Sequence, residues 1–259
     1  MKVDVKEAIL FAISRYDYAY AHKLAERAGS SVQSDLVLLL EALAERRELN
    51  IQSMMNLKLK ITGSDLADFQ LFCHENEADE QLVNYLYDLE AKLRNEQLID
   101  FIRAVSPAIY RIFMRLIRMQ IPDIDSYIHN SRGASYDRWK FEKMRHSDNP
   151  DLQNFHAEST VNSSSLTELI LQLHLPESVK ESARQRRELE KSVRNPLAHL
   201  IKPFDEEELH RTTGFSSQHF MELLVSLAQE TGIVYQREPF YFDQANAVIE
   251  ALLYGGRHG

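Results

Sequence analysis

The chain has 259 residues, one large domain or two small ones at roughly 100–200 residues each, and ample for a hydrophobic core. Its 30 Lys and Arg against 39 Asp and Glu give a net charge of −9, which argues against a protein that coats DNA generally but leaves room for a local basic site. A single cysteine, Cys73, excludes a disulfide scaffold and a cysteine zinc site and fits a reducing compartment; with 8 Gly and 7 Pro, turn residues are scarce, so an all-α protein is expected and a glycine-rich nucleotide-binding α/β domain is not.

Nowhere does the chain reach the roughly 18 consecutive apolar residues of a membrane span, and its opening residues lack a signal-peptide core. A soluble, cytoplasmic protein with no membrane partner is expected. Val5, Ala8, Ile9, Ala12, Ile13, Tyr16, Ala19 and Tyr20 recur at the helix period, with Gly29 as a left-handed stop. Ser34 then caps a second helix through Leu36 to Leu43, and Glu45-Arg46-Arg47-Glu48 reads as its solvated end. Leu57-Lys58-Leu59-Lys60-Ile61 alternates like a strand but is short and has no hairpin partner, so 51–63 reads as a linker or short helix. Ser64 caps a helical stretch from Leu66 to Phe72.

Gln81 to Met119 is strongly helical, with Leu82, Leu86, Leu89 and Leu93 on one stripe and Ile99, Ile102, Val105, Ile109, Ile112, Leu116 and Met119 on another; Pro107 should begin or kink a helix. The polar stretch 129–164 carries the only tryptophan, Trp139. Two readings stand there: a mobile or partner-ordered segment, or a short helix around Trp139 flanked by loops. Ser165 and Glu168 form a capping box for the helix that follows, Pro176 starts another with its body from Val179 to Val193, and Asp205 with Glu208 caps a third. Ser217 to Thr231 is amphipathic and closed by Gly232, Ile233 to Phe242 is aromatic and extended, and Asp243 caps a last helix from Ala247 to Leu253.

Most chemistries find no footing in this sequence. The 10 histidines are scattered without a metal-ligand spacing, and no nucleophile elbow or phosphate loop is present. His210 and His219 are close in sequence but separated by a helix break, and Cys73 reads as a small core residue. Arg194-Asn195-Pro196-Leu197-Ala198-His199 stands out. Asn before Pro suggests an N-cap with Pro196 as first helical residue, placing Arg194 and His199 beside a helix N-terminus where phosphate binds readily. There His199 could serve as general base or acid and Arg194 could stabilise a phosphorane, the parts needed for metal-free RNA cleavage. The plainer reading pairs Arg194 with Glu188 or Glu190 and packs His199 in a core.

The segment resembles the Arg-x4-6-His signature of the HEPN superfamily, with four residues between Arg194 and His199 and an Asn, common at that place in the family, directly after the Arg. The wider pattern is similar to the CARF–HEPN accessory ribonucleases of type III CRISPR–Cas systems, of the Csm type. That resemblance implies an all-α architecture with a helical linker domain over 1–79 and a HEPN-type bundle over 80–259. It also implies a metal-independent endoribonuclease that cuts single-stranded RNA to 2′,3′-cyclic phosphate ends, with no cofactor. Arg194 and His199 would be catalytic and Asn195 would orient the site, which two copies of a homodimer complete. Full-length relatives sense cyclic oligoadenylate on a CARF domain; no βαβ alternation here reads as one, so that activator is expected only through a CARF domain not seen in this chain. Arg184, Arg186 and Arg187, upstream on the same helix, and Lys202 just after the motif could follow an RNA backbone, or form a solvated face balanced by Glu181, Glu188 and Glu190. Tyr136 and Trp139 could stack on bases, or simply pack. The competing classes are a non-catalytic helical interaction module, in which the Arg–His pair is structural, and a HEPN toxin ribonuclease outside CRISPR.

Overall fold

The computed structural model describes residues 4–61, 66, 69–129, 137–199 and 204–255, and within 189–199 the side chain of residue 191 alone. Among these, thirteen α-helices follow in order: α1 (Val5–Ser14), α2 (Tyr18–Ala28), α3 (Ser34–Arg47), α4 (Ile51–Ile61), α5 (Glu77–Arg94), α6 (Leu98–Gln120), α7 (Phe141–Arg145), α8 (Pro150–Gln153), α9 (Ser163–Gln172), α10 (Glu177–His199), α11 (Glu206–Thr213), α12 (Ser217–Glu230) and α13 (Tyr241–Tyr254). The all-α expectation holds, with one small exception: β1 (Ile128–His129) and β2 (Arg138–Trp139) pair antiparallel, Ile128 opposite Trp139. No helix of the described residues is long and apolar enough to cross a membrane.

Two compact units emerge, residues 1–95 with 234–259, and residues 96–233. In the first, α1 to α4 form successive antiparallel hairpins, and α13 returns to pack on α1, α3 and α5. The amino-terminal helix period hides a break. Tyr16 adopts φ 55°, ending α1, and the Asp17 side chain accepts the Tyr20 N–H at 3.0 Å to start α2. Gln33, not Ser34, holds the cap position of α3. The Leu57–Ile61 alternation belongs to a helix: Ile51, Met54, Leu57 and Ile61 are buried at helical steps, and Leu59 is exposed. Residues 69–72 are not helical, and Ser64 lies outside the described residues.

The core of this unit is aromatic. Tyr16, Tyr18, Tyr87, Tyr235, Phe240, Tyr241 and Phe242 are all buried. Tyr18 donates to the Asn246 side-chain oxygen at 2.8 Å, and Asn246 donates to the Ile13 carbonyl at 3.0 Å, so a buried phenol and an amide join α13 to α1 and α2. At its centre sits Arg46, completely buried rather than at a solvated helix end. Its Nη1 meets Glu80 Oε1 at 2.5 Å, and its guanidinium lies 4.2 Å from the Tyr241 ring centre. Glu80 Oε2 accepts the backbone N–H groups of Cys73 and His74 at 2.9 and 2.8 Å. Arg47 pairs with Asp88 at 2.6 Å.

In the second unit, α6 is the spine on which α9, α10 and α12 pack. Phe101, Val105, Ile109, Ile112, Phe113 and Leu116 of α6 are buried, each such side chain contributing about 1.5–3 kcal/mol. The helix runs through Pro107 instead of beginning there. Trp139 lies in β2, not in a helix: its Nε1–H donates to Ser165 Oγ at 3.0 Å and its ring meets Phe155 edge-on at 5.3 Å. Thus packing, not base stacking, occupies Trp139; Tyr136 and the polar run 130–135 lie outside the described residues. The cap of α9 is Asn162, whose side chain accepts the Ser165 N–H at 3.0 Å while Ser165 Oγ accepts the Asn162 N–H at 3.1 Å, so the capping box starts three residues earlier than the Ser165–Glu168 pattern suggested. Asp205 caps α11 through the Glu208 N–H, as the sequence predicts. Residues 233–240 are irregular, α13 starts at Tyr241, and Phe240 rather than Asp243 occupies its cap.

Candidate ribonuclease helix

Pro176 opens α10 by accepting the N–H groups of Val179 and Lys180 at 3.0 and 3.2 Å. Val179, Ala183 and Arg186 form its buried stripe, facing α6, α9 and α12. The helix then continues without a break to His199. This corrects the local geometry expected from Asn195-Pro196. Asn195 is not an N-cap and Pro196 is not a first helical residue; both are inside a 23-residue helix. Proline lacks the N–H that would reach the Ser192 carbonyl, so one intrahelical bond is missing there, a local cost that the rest of the helix outweighs.

The Arg194–His199 segment is the last part of α10 among the described residues, more than four turns from the amino end of that helix. The helix N-terminus that the Asn195-Pro196 pair suggested beside the motif is therefore not there. Five residues of helix advance about 7.5 Å, so Arg194 and His199 are little more than a turn apart along the axis. The side chains of Arg194, Asn195 and His199 lie outside the described ones, as does Lys202 entirely.

The neighbouring arginines are accounted for one by one. Arg184 is exposed and bonded to Glu177 at 3.0 Å and Glu181 at 2.8 Å; these carboxylates hold its pKa above the ordinary value and neutralise it locally. That favours the solvated face over an RNA track. Arg187 donates from Nε and Nη2 to Ser164 Oγ at 3.2 and 2.8 Å. Arg186 is fully enclosed and so contacts no RNA in this conformation. The sequence contained a signal for it: Val179, Ala183 and Arg186 share the spacing of an inward stripe. The same signal marks Arg46, which extends the buried stripe of Leu36, Leu39 and Leu43.

Among the described residues no group of three or more His, Cys, Asp and Glu could hold a metal. His210 is on α11 and His219 on α12, the latter stacked on Phe215 with ring centres 5.2 Å apart. A cavity of about 460 Å³ belongs to the first unit, lined by Leu66, Phe69, Gln70, Cys73, Gln236, Tyr241, Gln244 and Val248. Cys73 is partly exposed there, its Sγ 3.5 Å from both Arg46 Nη2 and the Tyr87 hydroxyl.

Comparison with known proteins bears on the whole fold. A structure titled Enterococcus italicus Csm6 bound to cyclic hexa-2′-fluoro-hexa-dAMP matches with a TM-score of 0.67 at 13% identity, over 96% of this chain and 56% of that one. This chain therefore spans little more than half the length of that relative. A search of curated proteins finds no match. The Cas_Csm6 HEPN domain model matches residues 71–250, a span that includes α5 to α12 and the Arg194–His199 segment. The chain therefore belongs to the Csm6 HEPN-domain family of CRISPR-associated proteins.

Proposed function

We propose that this chain is a metal-independent, single-strand-specific endoribonuclease of type III CRISPR antiviral defence, acting in the cytoplasm. The observation that carries the reading is the family match over 71–250, which spans a helix bearing Arg194, Asn195 and His199 in the HEPN spacing. His199 removes the proton of a ribose 2′-hydroxyl or donates one to the leaving 5′-oxygen. The 2′-oxygen attacks phosphorus, the P–O5′ bond breaks, and the products are a 2′,3′-cyclic phosphate and a 5′-hydroxyl. Arg194, always charged and able to hold two phosphate oxygens at once, stabilises the phosphorane. Asn195 orients the pair. Two copies contribute one motif each to a composite site in a homodimer, and residues 80–259 act as the ribonuclease part with 1–79 as its helical linker. Cyclic oligoadenylate regulates such a site through a CARF domain, not through the residues described here.

The test is the chemistry of the ends. A labelled single-stranded RNA incubated in EDTA should yield fragments whose 3′ ends resist phosphatase until acid opens the cyclic phosphate, and whose 5′ ends accept phosphate from a kinase. Fragments with 5′-phosphates, or cleavage abolished by EDTA, would place the reaction in a metal-dependent class.

A further inference from the structure

Arg186 is buried with no carboxylate beside it among the described residues. It has no exposed surface, its Nη1–H donates to the Phe220 carbonyl of α12 at 3.1 Å, and its guanidinium lies over the Phe220 ring at 5.0 Å. Nε and Nη2 are buried and have no partner among the described residues. Burial pushes its pKa well down. Such a group costs stability that a methionine of similar length would not, so packing alone does not explain it.

Its connections do. The Phe220 ring meets Phe101 of α6 edge-on at 5.9 Å, so Arg186 grips a junction of α10, α12 and α6. The next residue, Arg187, ties the same turn of α10 to Ser164 in the first turn of α9. Two successive arginines thus fasten α10 to its neighbours seven and eight residues before Arg194, about 12 Å along the same unbroken helix. A slip in register at this point carries directly to the motif. We propose that Arg186 is a positioning residue: seated on the Phe220 carbonyl and ring, it sets the register of α10 and with it the placement of Arg194 and His199. The activity arm of its test rests on the ribonuclease reading above; the exchange arm does not.

The experiment compares wild type, Arg186→Met and Arg186→Lys in the full chain, by thermal melting, RNA cleavage kinetics and backbone amide exchange. Arg186→Met should melt at or above the wild-type temperature, because the buried charge is gone. Its kcat should fall at least tenfold with KM within twofold, and the amides of 190–199 should exchange at least tenfold faster. Arg186→Lys, which keeps the charge but loses the planar fork, should show the same kcat loss and melt lower. Unchanged kcat and unchanged exchange in both variants would overturn the proposal and leave Arg186 as filler. A loss confined to KM would also overturn it, by pointing to contact with RNA. A lower melting temperature in Arg186→Met would overturn the argument that the buried charge is costly. If wild type left RNA intact the ribonuclease reading would fail on its own, and exchange in 190–199 would still decide the role of Arg186.

Discussion

Replacing Glu80 with Gln removes one negative charge from a fully buried site. The carboxylate satisfies three donors: Arg46 Nη1 at 2.5 Å and the N–H groups of Cys73 and His74 at 2.9 and 2.8 Å. A glutamine has one acceptor oxygen and one NH₂. Facing its oxygen to Arg46 sets the NH₂ against two backbone donors; the flipped amide sets it against the guanidinium. Either way the Arg46 cation is left buried without compensation, and breaking a buried pair in this manner costs about 3–5 kcal/mol. If all 259 residues melt together, an unfolding entropy of roughly 2.1 cal/mol/K per residue converts that to a drop of about 6–9 °C. Urea unfolding followed by circular dichroism at 222 nm gives the free energy directly. The double variant Arg46→Met with Glu80→Met should recover only the part of the loss that comes from the stranded charge, because the Cys73 and His74 N–H groups still lose their acceptor. A Glu80→Gln penalty below about 1 kcal/mol, the range of surface pairs, would refute the buried-pair account.

Three further outcomes follow from the geometry. Trp139, the only tryptophan, is enclosed, so its emission should be blue-shifted and insensitive to saturating single-stranded RNA, whereas stacking on bases would quench it. Burial holds the Tyr18 and Tyr235 phenols well above their ordinary pKa, and burial followed by the Asp243 carboxylate raises Tyr16 to about 12. Because the folded values exceed the unfolded one near ~10, their stabilisation is fully present below that pH and is lost as pH rises through the folded values, about 12 for Tyr16; part of the phenolate absorbance at 295 nm should therefore appear only together with unfolding, and early, reversible ionisation of all tyrosines would contradict the enclosed core. Asp125, held below its ordinary pKa by the Arg118 guanidinium with two contacts at 2.8 Å, works in the opposite sense: its contribution is present above the unfolded carboxylate pKa of about 3.9 and lost as pH falls through the folded value. The pair is largely exposed, so Asp125→Asn should cost well under 1 kcal/mol at neutral pH and nothing near pH 2; a larger or pH-independent loss would argue against that linkage.

The helices of this protein were legible wherever one apolar stripe repeats, as along α5, α6 and α12, because burial of a stripe is what makes a helix stable in a fold. Boundaries were legible where a side chain caps the backbone locally, as Asp205 does for α11. They were misread where the deciding partner is distant or the local preference is outweighed. Asn195-Pro196 has the chemistry of a helix start, yet α10 passes through it, and the motif is the last part of that helix among the described residues instead of an anion-binding start. Charge alone suggests an exposed place for both arginines, a solvated helix end for Arg46 and an RNA track or solvated face for Arg186; their partners, Glu80 and Phe220, are each 34 residues away in sequence, and only the stripe spacing hints that they face inward. The polar neighbours of Trp139 suggest a loop or a short helix, while its position depends on a strand pairing with Ile128 and on the Ser165 hydroxyl. The Arg-to-Asn-to-His pattern of the candidate site was legible because its residues are contiguous on one helix.

On the proposed reading, Arg194 and His199 cleave RNA without metal. Cleavage of a mixed-sequence single-stranded RNA in EDTA by wild type and by His199→Ala, with circular dichroism melts on both, addresses it most directly. Cleavage by wild type alone, with matching melts and a loss of at least a hundredfold in the variant, is the predicted result. Equal cleavage by both proteins would show that His199 carries no part of the chemistry and would contradict the assignment.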